Sequence, residues 1–325
     1  MELIFYGALC AFGVVVLLAP AAIPLLHRLK FGQVVREDGP AAHKAKTGTP
    51  TMGGLMIVAG ICVAVLTFYS SSTAVRLLLF TTMACGAIGF VDDYIKVVLK
   101  RNLGLRAKEK LLGQIVIAVA FSWTVTQYMG RGTELWIPGL NASWDMGFMF
   151  HVLVFFIIVG TTNAVNLTDG LDGLAAGTTA VAMGIYAMVA WILGKPEVAG
   201  FFAIVAGSAL GFLVFNRHPA RIFMGDTGSL ALGGALAAGA VLTRTELLLP
   251  VIGAVFVAEA VSVILQVASF KTTGRRIFRM SPLHHHFELG GWPETRVVRM
   301  FWTAGIIAGL VGLWIVLAST GGRIG

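Results

Sequence analysis

The 325-residue sequence predicts an all-α integral membrane protein with about ten transmembrane helices, on three observations: its composition, the spacing of its apolar runs, and the side on which its positive charge falls. Hydrophobic residues make up 57% of the chain and charged residues 12%, with a mean hydropathy of +0.85. Soluble domains carry roughly 25% charged residues, so most of this chain must face lipid or lie buried. Apolar runs fall at about 3–26, 53–70, 74–91, 111–129, 147–165, 174–193, 199–215, 229–243, 247–269 and 300–319. Each is near the roughly 20 residues that cross a bilayer. The run at 229–243 is short, and a tilted, broken or protein-buried helix also fits it. Loops after the odd-numbered spans hold 19 of the 24 Lys and Arg, and the other side keeps only Arg76, Arg131, Lys195, Arg244 and Arg323. By the positive-inside rule the basic side is cytoplasmic, which puts both termini outside.

In chain order, the first run reads as a retained helix. Acidic Glu2 stands where a cleaved signal would be basic, and Pro20 and Pro24 lead into His27, Arg28 and Lys30. Cys10, Cys62 and Cys85 fall inside predicted spans and read as small buried hydrophobes, not a disulfide framework. No linker, low-complexity tract or repeat divides the chain, so residues 1–325 form a single polytopic membrane domain. Gly132, Pro138, Gly139 and Asn141 predict a short hairpin on the outer side, within 130–146. The net charge of +8 sits on alternate loops, a pattern of membrane topology and not of nucleic-acid binding.

Acidic residues collect at the cytoplasmic ends of the spans, where a stray carboxylate would be costly in lipid. Asp92 and Asp93 close the third span, with Lys96 one turn on. Adjacent helical side chains diverge by about 100°, so at most one of the pair addresses a central point. The bland alternative is an interfacial cap and ion pair. In the loop after the fifth span, Asn166, Asp169 and Asp172 recur every third residue, which a helical turn would align on one face. Capping of the next helix, with Gly170 and Gly173 permitting the turn, is the plainer reading and is compatible with function. Before the eighth span, Gly225 and Gly228 flank Asp226 and Thr227, downstream of Asn216 and Phe223. An acid on such a turn suits Mg²⁺, which takes carboxylate, water and phosphate oxygens. No GxxxxGK[ST] or GxGxxG string is present.

The last inner loop carries His284, His285 and His286, internal and therefore no tag. Consecutive histidines do not match zinc spacing and no Cys lies on this side, so imidazoles hydrogen-bonding phosphate fit better. Lys44, Lys46, Thr47, Thr49 and Thr51, with glycines between, form a weaker phosphate-gathering string on the same face. Five polar loops on one face thus read as a cleft for anionic phosphates bridged by a divalent cation, with one substrate in the membrane itself.

The strings KTGTPTMGG, DDYIK, NAVNLTDGLDGLAAG, FNRHPARIFMGDTGS and SPLHHHFE, in this order along nearly the whole chain, resemble the phospho-N-acetylmuramoyl-pentapeptide transferase (MraY) family of the polyprenyl-phosphate N-acetylhexosamine-1-phosphate transferase superfamily. The resemblance implies ten helices in the bacterial inner membrane and an active-site cleft on the cytoplasmic face. It implies transfer of phospho-MurNAc-pentapeptide from UDP-MurNAc-pentapeptide to undecaprenyl phosphate, giving lipid I and UMP with Mg²⁺, by a homodimer. Asp226 would be the principal magnesium ligand, with Asp92 and Asp93 beside it. Lys46, Lys96, Lys108 and Lys110 would hold phosphates, and His285 and His286 the phosphate and nucleotide region. Thr51, Asn166, Asp169, Asp172 and Asn216 would line the cleft, with Asp172 near uracil and Phe223 stacking on it. The family leaves open an Asp nucleophile in two steps or an Asp base in one. Because a lipid phosphate is already largely ionised, the reading leans to Asp92 assisting direct attack. Two alternatives stand beside this one: a related GlcNAc-1-phosphate transferase, and a secondary transporter. Transporters place their sites near the midplane, where only Glu259 lies here.

Overall fold

A computed structural model describes residues 1–29, 48–101, 104–140 and 142–321. Every apolar run of the sequence falls on helix. In order these are α1 (Glu2–Arg28), α2 (Gly54–Phe68), α3 (Thr73–Val97), α4 (Ala107–Gln127), α5 (Met149–Thr168), α6 (Leu174–Ile192), α7 (Pro196–Asn216), α8 (Gly225–Thr243), α9 (Leu249–Ile252), α10 (Ala254–Thr273), α11 (Leu283–Glu288) and α12 (Glu294–Ser319). Seven of them, α1, α3, α5, α6, α7, α10 and α12, are long and apolar enough to cross a membrane. The chain is thus an all-α multi-pass membrane protein, with helix α2 shorter at 15 residues.

Local chemistry sets the boundaries. Ser72 caps α3 by accepting from Val75 N, Glu109 returns to Arg106 N at the start of α4, and Pro196 opens α7. The run predicted as one span at 247–269 is broken: α9 ends at Ile252, Gly253 intervenes, and the long helix begins at Ala254. Pro250 has no amide to donate and tolerates only a helix start, which separates the short α9 from the segment before it. The predicted hairpin is present as β1 (Glu134–Ile137) and β2 (Ala142–Asp145), antiparallel with Glu134 opposite Asp145 and Ile137 opposite Ala142.

Helix α8 lies at the centre. Every residue from Thr227 to Thr243 is buried, and α3, α5, α2 and α7 pack around it. The short Gly- and Ala-rich run is therefore a protein-buried helix, whose small side chains let neighbours approach closely. Outward faces of α1, α10 and α12 carry exposed Leu17, Ile264, Ile307 and Trp314, as a lipid solvent requires.

Candidate active site

The C-terminal ends of α3 and α5 meet the N-terminal ends of α4 and α8 at one end of the bundle. Asp226, in the first turn of α8, is the hub. Its Oδ2 accepts from Lys110 Nζ at 2.5 Å and from Lys96 Nζ at 3.1 Å, and its Oδ1 from Asn166 Nδ2 at 3.0 Å. Asp92 Oδ2 lies 2.5 Å from Lys96 Nζ, one helical turn along α3, and its Oδ1 lies 3.1 Å from Lys110 Nζ. Two carboxylates therefore share two ammonium groups. Asp92 is wholly buried and its Oδ1 also accepts Leu105 N at 2.8 Å, which ties the start of α4 to the end of α3.

Asp93, rotated round α3, addresses a different target. It accepts Asp226 N at 3.0 Å, Thr227 N at 2.9 Å and Thr227 Oγ1 at 2.7 Å, so it caps the positive end of α8. Gly225 makes this possible: its φ is +75°, and a Cβ there would lie 2.6 Å from Asp93 Oδ2. At Gly89 a Cβ would come within 2.1 Å of Asp226 O, so α3 and α8 touch backbone to side-chain-free backbone beside the two acids.

The turn at Pro50–Gly54 pairs with the strand-like segment before α8. Phe223 N donates to Pro50 O, Gly53 N to Phe223 O and Gly54 N to Met224 O, at 2.8 to 2.9 Å, and Thr51 is buried beside them. Asp169 ends α5 half-buried; burial and the Asp226 and Asp93 charges push its carboxyl up to about 7. Asp172 Oδ2 accepts Ala220 N at 3.0 Å and faces His218 Nδ1 at 3.2 Å, while Asp172 N donates to Glu294 Oε1 at 2.6 Å. Asn216 receives Gly173 N and donates to Ile222 O, so its amide clamps two loops together. Phe223 is half-buried, with its main chain held as above. His285 Nδ1 lies 2.8 Å from Glu288 Oε2, and His286 Nδ1 accepts Arg279 N at 3.1 Å.

Of the remaining sequence-derived residues, Lys46 lies outside the described segments. Lys108 is exposed on the first turn of α4 while Lys110, two residues on, reaches the acids. Sequence reasoning missed the pairing of Glu259 with His284, whose Oε1 and Nδ1 lie 3.1 Å apart, both buried. A Cβ on Gly170 would sit 2.2 Å from His284 Nε2, so the histidine loop packs directly on the Asp169–Asp172 turn. The signal was available in Glu259, an acid deep inside a span.

Asp92, Asp93 and Asp226 each offer an oxygen, and these atoms lie within 4.8 Å of one another. An oxygen-only set that already draws two ammonium groups into itself suits a hard divalent cation such as Mg²⁺. Among the described residues Asp172, His218 and Glu294 form a second such group. Its members latch the loops after α5 and α7 to the start of α12.

A helix bundle with acids, amines and amides converging at one of its ends defines a membrane enzyme acting on phosphate groups. Glycosyl transferase family 4 matches residues 75–244, from α3 to the end of α8. The chain is 56% identical to the phospho-N-acetylmuramoyl-pentapeptide-transferase of Bacillus pumilus (strain SAFR-032) over 97% of its length and 98% of that protein's. It is 55% identical to that of Bacillus subtilis (strain 168) over the same shares, and 56% identical to that of Geobacillus kaustophilus (strain HTA426) over 94% and 95%. It belongs to the phospho-N-acetylmuramoyl-pentapeptide transferases.

Proposed function

We propose that this cleft transfers phospho-MurNAc-pentapeptide from UDP-MurNAc-pentapeptide to undecaprenyl phosphate, releasing UMP and forming lipid I for peptidoglycan synthesis. The observation that carries the reading is the sharing of Lys96 and Lys110 between Asp92 and Asp226 in a chain of this family. An oxygen of the lipid phosphate attacks the sugar-bearing phosphorus of the donor. The bond from that phosphorus to the bridging oxygen breaks, and UMP departs with the electron pair.

Asp226, with Asp92 and Asp93, would hold Mg²⁺, which when bound screens the diphosphate charge and favours loss of UMP. Lys96 and Lys110 exchange carboxylate oxygens for phosphate oxygens as the substrates enter, so the incoming negative charge meets amines already in position. Asp92 anchors both amines through the attack, a role that needs no proton transfer from an acceptor already ionised. Asp93 fixes Asp226 through the backbone of α8, and Asn166 holds its other oxygen. Asp169, Asp172 and Phe223 receive the nucleotide, with His285, His286, Thr51, Lys46 and Lys108 at the margins. The cleft faces the cytoplasm of a ten-crossing inner-membrane protein that works as a homodimer with both termini outside. The weight of Lys and Arg on the cleft side supports that orientation.

A parallel assay with radiolabelled UDP-MurNAc-pentapeptide and UDP-GlcNAc, each with undecaprenyl phosphate, tests the reading. Lipid-linked product is expected from the first donor alone and is expected to vanish with a chelator and return with Mg²⁺. Equal or better use of UDP-GlcNAc overturns it.

A further inference from the structure

At the end of the bundle opposite the acids, three of the five basic residues of that side, Arg131, Lys195 and Arg244, come together. They meet where α8 ends, α7 begins and the hairpin docks. Arg131 is fully engaged. Its Nε donates to Val241 O at 3.1 Å, its Nη1 to Glu134 O at 2.8 Å and Gly132 O at 3.2 Å, and its Nη2 to Glu246. Capping of the α8 carbonyls and closure of the hairpin account for it.

Lys195 and Arg244 are placed differently. Both line a cavity of about 660 Å³, and both also line a neighbouring one of about 450 Å³. Lys195 donates to Leu242 O at 2.5 Å and has two further protons to give. Burial, with the Arg244 and Arg131 charges beside it, brings its ammonium down to about 8, a cost that a bound anion would relieve. Arg244 ends α8 at φ +60°, in the left-handed region where glycine or asparagine is the favoured helix stop. Its guanidinium reaches Glu134 Oε2 at 3.1 Å and Arg131 O at 2.5 Å on the cavity rim. Against Lys195 and Arg244 the larger cavity sets one carboxylate, Glu134, which leaves an excess positive charge.

The rest of the wall includes Trp136, Ile192 and Leu193, and Ser319 and Thr320, whose hydroxyls already donate to Ile315 O and Val316 O. Exposed Trp191 and Trp314, on the two helices whose ends form that wall, mark the headgroup level of a bilayer. The chemistry of the lining is thus two cations for a phosphate, next to apolar surface for what the phosphate carries. We propose that this cavity binds the phosphate headgroup of an anionic phospholipid in the leaflet opposite the active site.

The test uses the full chain, purified in detergent, with phosphatidylglycerol, phosphatidylcholine and free glycerol phosphate as separate probes. Thermal unfolding and native mass spectrometry of retained lipid are the readouts. Phosphatidylglycerol is expected to raise the unfolding temperature and to be retained, whereas phosphatidylcholine and glycerol phosphate leave both unchanged. Lys195→Gln should weaken phosphatidylglycerol retention by about fivefold, the effect of one cation at a lipid surface. Arg244→Gly removes the charge while relieving the backbone, so it should lose retention without losing lipid-free stability or transferase activity. Equal retention by the native chain and both variants overturns the site. An equal response to phosphatidylcholine overturns the charge recognition, and an equal response to glycerol phosphate overturns the lipid as its source.

Discussion

The two ends of the bundle are built from the same ingredients and differ in what those ingredients face. At the hairpin end, the side chains of Arg131 and Glu246 are 4% and 1% exposed, and the guanidinium is surrounded by main-chain carbonyls and the ring of Phe150 at 4.3 Å. At the cleft end, Lys96 and Lys110 are 36% and 21% exposed and their partners are the carboxylates of Asp92 and Asp226. A guanidinium like that of Arg131, shut away from solvent among carbonyls and a buried carboxylate, is structural, because no arriving ion can reach it. Charge that closes on other side chains within reach of solvent is exchangeable, and a phosphate or a metal ion can take either half of the pair.

The sharpest way to break this contrast is to neutralise one residue at each end. Asp226→Asn should lower turnover by about a thousandfold or more while leaving the unfolding temperature within about 2 °C. Near-normal lipid product would remove Asp226 from the reaction. Arg131→Ala should do the reverse. Leaving Glu246 buried and unpaired costs about 3 to 5 kcal/mol, read as a lower unfolding temperature with turnover per folded molecule preserved. Lys110→Gln should cost about ten- to a hundredfold in kcat/KM, as for loss of a charged hydrogen bond, whereas Lys108→Gln should cost little. Equal losses would show that the static pairing misidentifies the working lysine.

The smallest effect is a pH effect. Folded Asp169 keeps its proton to about pH 7, whereas an unfolded aspartate releases it near pH 4. A carboxyl raised in this way favours the folded state most at low pH, and the advantage is lost as pH rises through 7. Asp169→Asn should therefore match the native chain near pH 4, with its advantage growing as pH rises from about 4 to about 7 and reaching several degrees at pH 8. The same offset at both pH values would mean that repulsion from Asp226 and Asp93 is not felt at Asp169.

Much of this was legible in the sequence because lipid imposes a strong pattern: ten apolar runs and a one-sided distribution of Lys and Arg located the helices and grouped the polar loops. What it could not reveal depends on how helices dock. Lys108 and Lys110 point to opposite sides of α4, and only the packing of α4 against α3 selects the second. Asn216 is of a residue type that suits a ligand, yet a donor and an acceptor from two loops engage its amide. Among three consecutive histidines, burial singles out His284 because Glu259 and Gly170 happen to lie there. The centrality of α8 was hidden for a related reason: small residues score as weakly apolar, though they are what a helix needs to be surrounded on all sides.

The cap that Asp93 places on α8 has a mechanical corollary. Because Asp92 and Asp226 sit on two helices joined at that cap and pressed together at Gly89, the gap between them is gauged by the bundle and not by any loop. Loop motion around the cleft can admit and release large substrates without blurring that gap. An inhibitor seeking to pry the acids apart would have to separate two packed helices, so ligands that accept the spacing as given have the advantage.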